Sequence, residues 1–220
     1  MQRPPTYTGV GSRETLPKQL AIMRRIAQVF AERGYRLRTG DATGGDAAFT
    51  AGALSVLDKE KLNDLLHAYV SHDRTVGRKS PPLVSYERRP AADMLDALFK
   101  IARKYHPNPN ALKGPYPVPR NWAERGSPLG LMARNALQVG GEKLDDLSDF
   151  VVMAFKPEHL RRWPTDLGGT GQAFRIAKSK GIPTFDLDMS EKDLLDQLAL
   201  YKGPHPKQLE KMIEYILRAR

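Results

Sequence analysis

Apolar positions along the chain switch between two spacings. Residues 6–10 form a β-branched and aromatic run closed by Gly9, Gly11, Ser12 and Arg13, which predicts a strand delivering a tight turn. Between residues 18 and 32, Leu20, Ile22, Met23, Ile26, Ala27, Val29 and Phe30 recur near helical spacing, and Gly34 ends the run. Residues 35–38 read as a second strand, and the glycine-rich turn in TGDATGGDAAFTAGAL opens a helix of small residues. Residues 58–69 and 90–105 read as helical pieces separated by proline-rich basic segments, so 55–120 is expected to be an insertion between core elements. Its loop HPNPNALKGPYPVPRNW contains five prolines and cannot be regular throughout. Helical spacing returns at 130–139, and 149–155 (DFVVMAF) is the clearest buried strand. A GGTGQ loop, a helix over 173–180 and a last strand over 184–187 follow, then two helices across 191–220 broken at Gly203 and Pro204.

Strands alternating with helices predict an α/β fold, a mostly parallel sheet with helices on both faces. The length of 220 residues fits one domain over 1–190, carrying the insertion, with a C-terminal helical extension over 191–220.

Composition narrows the chemistry. No run of eighteen apolar residues exists, and MQRPPTYTGV lacks the charged-then-apolar order of a signal peptide, so no membrane association and a cytoplasmic location are expected. The absence of cysteine excludes disulfides and thiolate metal sites, and the five histidines never fall at metal-ligand spacing, so no metal is expected. The net charge of +10 points toward a polyanionic partner. Arg74, Arg78, Lys79, Arg88 and Arg89 concentrate part of it in one segment, read either as a single-stranded DNA surface or as a solvated face.

Three glycine turns carry the candidate site. They are 9–13, 40–46 and 168–172, each after an expected strand, where free backbone N–H groups and helix N-termini gather in a parallel sheet. Parallel strands put such turns on one edge, so Gly11, Gly45 and Gly169 are expected to converge. No Gly-Lys-Ser/Thr follows any of them, and none has the dinucleotide fingerprint with its distant acidic residue, which disfavours kinase and dehydrogenase readings. The expected ligand-binding set is Gly11, Ser12, Arg13, Gly44, Gly45, Asp46, Arg134, Asn135, Gly168, Gly169, Thr170, Gly171 and Gln172. Arg13 and Arg134 suit bidentate phosphate contacts, and Thr170 and Gln172 offer neutral donors to phosphate or ribose. Asp46 is the candidate catalytic residue, as a base or a ribose partner, although an acidic residue in the first turn of a helix is also favoured structurally. His106 lies in the proline-rich loop within possible reach of the site. Tyr116, Trp122 and Trp163 suit either base stacking or loop anchoring.

GSR at 11–13, LRTGDATGGDAAFTAGAL, Arg134-Asn135 within MARNALQVGG, and GGTGQAFRIAKSKGIP together resemble the SLOG superfamily. Within it the chain is similar to the Rossmann-like domain of DNA-processing protein A and to related phage-encoded proteins, which also carry a Tyr-His-Pro segment like 105–107. The resemblance implies a Rossmann-like nucleotide-binding domain, a homo-oligomer, and no cofactor beyond the ligand. Ala136 stands where the DNA-processing proteins have a second arginine, removing one phosphate contact. Aligned on the glycine motif of the Lonely Guy phosphoribohydrolases, the chain has Arg175 at the position of their catalytic glutamate.

Three functions follow as expectations. The first is a protein that binds a nucleotide or nucleotide-derived phosphate ligand, as a sensor, a sequestering protein or a ligand-processing enzyme. The second is a single-stranded DNA-binding protein. The third is a nucleotide N-glycosidase or transferase that uses Asp46 in place of the missing glutamate.

Overall fold

The computed structural model describes residues 3–70, 84–88, 92–106, 128–155 and 168–220. The first strand, β1 (Thr6–Gly11), leads to helix α1 (Pro17–Glu32) and β2 (Arg36–Gly40); then come α2 (Gly45–Leu54), α3 (Lys59–Leu65), β3 (Leu66–Tyr69) and the short β4 (Glu87–Arg88). A 3₁₀ turn (Ala92–Met94) precedes α4 (Leu95–Tyr105), and α5 (Pro128–Gly140) precedes β5 (Phe150–Ala154). The chain closes with α6 (Gly168–Ser179), β6 (Thr184–Asp186), α7 (Glu191–Leu200) and α8 (Pro206–Ala219).

The six strands form one sheet in the order β4-β3-β2-β1-β5-β6, and every pairing is parallel. The expected α/β architecture is therefore present. Strands β2 to β4 extend on one side of β1, whereas β5 and β6 lie on the other, so the winding reverses between β1 and β5. Loops leaving two such neighbours diverge to opposite faces and leave a crevice at the carboxyl edge.

Strand β5 makes the two-layer core legible residue by residue. Phe150, Val152 and Ala154 join the cluster containing Ile26 and Phe30 of α1, Phe49 of α2 and Met212 of α8. Val151 and Met153 join the opposite cluster with Phe99 of α4, Leu137 of α5 and Ile176 of α6. Period-two side-chain alternation puts these sets on opposite faces, and both faces are covered, so the strand is apolar throughout.

Three sequence expectations are corrected. Residues 66–69 are the sheet strand β3, not the end of a helix, because Leu66 to Tyr69 pair with residues 37–40 of β2. With β4 paired beyond it, the stretch expected to be an insertion contributes the sheet's outer strands. GGTGQ is the first turn of α6 instead of a loop before it. The expected breaks hold elsewhere: Gly34 has φ +75°, and α8 starts with Pro206, whose missing N–H has no role in a first turn.

Candidate functional site

The carboxyl ends of β1, β2 and β5 surround a cleft of about 390 Å³ at the point where the winding reverses. Its walls are Val10 to Glu14 after β1, Ala42 and Asp46 after β2, Phe155 and Gly168 to Thr170 after β5, and Met132, Arg134, Asn135 and Gln138 from α5. The volume falls within the range of small-molecule sites, roughly 300–1,000 Å³.

Close backbone approach explains the glycines of the first two turns. A Cβ on Gly11 would lie 2.7 Å from the Gly45 Cα, and one on Gly45 would collide with the Gly11 backbone. Only glycine at both positions lets the start of α2 rest on the end of β1. Gly44 is fixed by its φ of +83° and by the Ser12 and Arg13 backbone above it. The Ser12 carbonyl accepts from Gly45 N–H (3.1 Å) and from Thr15 N–H (3.3 Å), tying the two turns together. Gly168 and Gly169 differ: a Cβ on Gly168 would meet nothing, though its φ is +52°, and both residues line the cleft. The first turn of α6 thus presents N–H groups without intrahelical acceptors to the cleft, with no acidic residue within that turn.

The floor is polar and buried. Asp46 is 3% exposed, accepts from Gly11 N–H at 3.3 Å, and lies 3.4 Å from Arg134 Nη2. Burial pushes its pKa up to about 6 against the opposing pull of Arg134 and the N–H groups of Gly11 and Ala42. Arg134 also pairs through Nη1 with Asp41, so its guanidinium bridges two carboxylates. The expected bidentate contact from Arg134 to phosphate would have to compete with this triad. Arg13, exposed on the rim, makes no ion pair among the described residues.

Asn135 and Gln172 are engaged in structure. Asn135 Nδ2 donates to Gln172 Oε1 (3.1 Å), and Gln172 Nε2 donates to the Ala102 carbonyl (3.0 Å), which links α5, α6 and α4. Gln172 is fully buried and does not line the cleft, nor does Gly171. Arg175 points elsewhere, donating through Nε to the Tyr105 carbonyl at 2.6 Å. Gly11, Ser12, Arg13, Asp46, Arg134, Asn135, Gly168, Gly169 and Thr170 of the expected set meet in the cleft, with Gly44 and Gly45 supporting it from behind.

Gln138 is a cleft residue that sequence reasoning missed. It is 1% exposed, yet neither Oε1 nor Nε2 has a hydrogen-bond partner among the described residues. Its backbone carbonyl accepts from Thr8 Oγ1 at 2.6 Å, which holds this part of α5 against the sheet. A Cβ on Gly40 would lie 2.5 Å from Gln138 Nε2 and 2.8 Å from Arg134 Cζ, so the polar floor requires glycine at the end of β2. Asp41 and the cleft wall residues Met132 and Phe155 also escaped notice. The spacing of Arg134 and Gln138, four apart on one helix face, was the available signal.

Of the basic segment, only Arg88 is described. It bonds the Asn63 carbonyl and side chain, each at 2.7 Å, and pairs with Glu142 at 3.4 Å. Arg74, Arg78, Lys79, Arg89, Tyr116, Trp122 and Trp163 lie outside the described residues, whereas His106 lies within them and does not line the cleft. Among the described residues no helix is long and apolar enough to cross a membrane.

With this geometry, an α/β protein with a carboxyl-edge cleft at a winding reversal is the class that the fold defines. Comparison with protein-family models, with curated proteins and with solved structures finds no match.

Proposed function

We propose that the cleft binds a nucleotide or nucleotide-derived ligand through its phosphate. The observation that carries this reading is the juxtaposition in one cleft of the first turn of α6 with Arg13, which has no ion pair among the described residues, over a floor whose Gln138 amide has no hydrogen-bond partner among them. Orphan N–H groups and the helix dipole favour an anion, and the exposed Arg13 guanidinium on the rim adds a charge-assisted contact. Asp46 and Gln138 suit neutral hydroxyl or amide groups further in, since the Asp41–Arg134–Asp46 triad already balances its own cation. The division into a phosphate end and a neutral polar end matches a nucleotide better than a bare inorganic anion. It is also what the resemblance to the SLOG superfamily implies, and homo-oligomer formation belongs to the same reading.

The test is a mass-spectrometric inventory of small molecules released on heat denaturation, set beside titration of the emptied protein with nucleotides. A phosphate-bearing nucleotide that binds the native protein but not Gly169→Asp supports the reading. Binding of the same nucleotide undiminished by Gly169→Asp overturns it.

A second reading, N-glycosidic hydrolysis, is favoured by Asp46 alone, a buried carboxylate in the cleft with its pKa pushed up to about 6. A base with that pKa accepts a proton from water near neutral pH while the water oxygen attacks the anomeric carbon and the C–N bond electrons leave with the nucleobase. Release of free base and ribose 5-phosphate from a nucleoside monophosphate, lost in Asp46→Asn, would separate turnover from binding.

A further inference from the structure

A second concavity lies between α1 and α8 and shares no residue with the cleft. It has a volume of about 200 Å³, and Ile26, Val29, Phe30, Met212 and Tyr215 give it an apolar interior. Arg25, Arg33 and Lys211 stand around it, all exposed, with Gln208 as the remaining wall and no carboxylate among the lining residues. Among the described residues the cations are not engaged by acids. Arg25 donates to the Gln28 amide oxygen (2.9 Å) and Arg33 to the Val29 carbonyl (3.0 Å), while Lys211 has no ion pair among the described residues.

The layout of charge distinguishes occupants. Arg25 on α1 and Arg33, the C-cap of α1, are eight positions apart, roughly 12 Å at 1.5 Å per residue, with Ile26, Val29 and Phe30 between them. A single small carboxylate can neutralise one end of such a groove and leaves the other bare. An extended chain covers the same distance in about four residues, so carboxylates flanking one large apolar side chain reach both cations while that side chain fills the interior. We propose that this groove docks an acidic segment of a partner protein, with an apolar anchor residue in the pocket and flanking Asp or Glu side chains on Arg25, Arg33 and Lys211. Complementary charge sets the approach and register of the segment, and the desolvated anchor supplies most of the affinity.

The probe is a synthetic peptide GESFSEG, titrated into the ¹⁵N-labelled full chain and followed by NMR, with GKSFSKG and GESSSEG as controls. The expected result is shifts at Ile26, Val29, Met212 and Tyr215 and none at Gly169. Affinity should fall at least about tenfold with either control peptide and with the Arg25→Glu/Arg33→Glu variant, and should weaken with added salt. These cations are exposed, so the variant keeps its fold, which an unchanged spectrum elsewhere verifies. The proposal is overturned if no shift appears at millimolar peptide or if GKSFSKG binds equally. Tighter binding of octanoate at the same residues, or concentration-dependent self-association through them, would overturn it in favour of a small carboxylate or a second copy of this chain.

Discussion

The two faces of the sheet are built on different principles. On the α1–α2–α8 face, Phe150 stacks on Tyr7 at 5.4 Å and touches the rings of Phe30, Tyr35, Phe185 and Tyr201 at centroid distances of 5.5 to 6.2 Å. Near the cleft, the opposite face buries Thr8, Arg134, Asn135, Gln138 and Gln172 among its apolar residues. Aromatic contact needs no partner beyond shape, whereas each buried polar group needs its hydrogen bonds satisfied. The first face therefore carries stability. Among the described residues the second holds an unpartnered amide at Gln138 and a buried ion triad in the wall of the cleft, costs that the first face matches only at the unpartnered Tyr7 hydroxyl.

The largest expected effects test that division. Phe150→Ala removes the centre of the aromatic cluster and should destabilise the protein by about 3–5 kcal/mol, read as a lower urea midpoint. Removing Arg134 leaves Asp41 and Asp46 buried without their cation. Arg134→Ala is therefore expected to lower stability by about 3–5 kcal/mol as well as to disturb the cleft, contrary to a pure ligand-contact role. If it leaves the urea midpoint unchanged, the triad is not a structural unit.

A smaller effect of opposite kind is expected at Gln138. Gln138→Leu replaces an unpartnered buried amide by an apolar group of similar size, so stability should hold or rise by up to about 1 kcal/mol while ligand affinity falls several-fold. Loss of stability together with unchanged affinity would mean that Gln138 belongs to the core and not to the site.

The pH dependence sharpens the comparison further. Burial raises the Asp46 pKa to about 6 and that of Asp186, at the end of β6, to about 7. A raised carboxyl pKa means that the native state binds protons more readily than the unfolded chain, so this contribution is full below about pH 4 and declines as pH rises through 6 to 7. For Asp46 the change amounts to about 3 kcal/mol across that window. Asp46→Asn and Asp186→Asn should each flatten urea-derived stability between pH 4 and 7. Above pH 6 the cleft also carries one more negative charge, so anionic ligands should bind the wild type less tightly relative to Asp46→Asn. Arg13→Ala comes last, with no change in stability and a several-fold loss of affinity for phosphate-bearing ligands.

The fold and the site were unequally legible in the sequence. The unbroken apolar run of β5 announces a strand covered on both faces, and the glycine turns locate its carboxyl edge. Strand β3 was hidden because Leu62, Leu65, Leu66 and Tyr69 keep helical spacing through the junction, with no glycine or proline between α3 and β3. The start of α6 was misplaced because glycine is a poor helix former, a preference that weighs less in a first turn. At the site, motif residues were visible as glycines and arginines. Their roles were not, since the contacts of Gly45 with Gly11 and of Arg134 with Asp41 join residues far apart in sequence. Gln138 looks like an ordinary surface residue of an amphipathic helix until the helix is seated on β1 and β2.

The most direct test of the central claim is an NMR titration of the ¹⁵N-labelled protein with adenine and guanine mono- and dinucleotides, observing the amides of Gly11, Arg13, Gly169 and Thr170 and the side-chain amide of Gln138. Binding is expected to move these signals together, with one affinity that changes little between low and physiological salt. If no nucleotide moves them, while single-stranded DNA does so with log K falling by about 0.7 per phosphate contact in log salt, the cleft is not a nucleotide site and the account is contradicted.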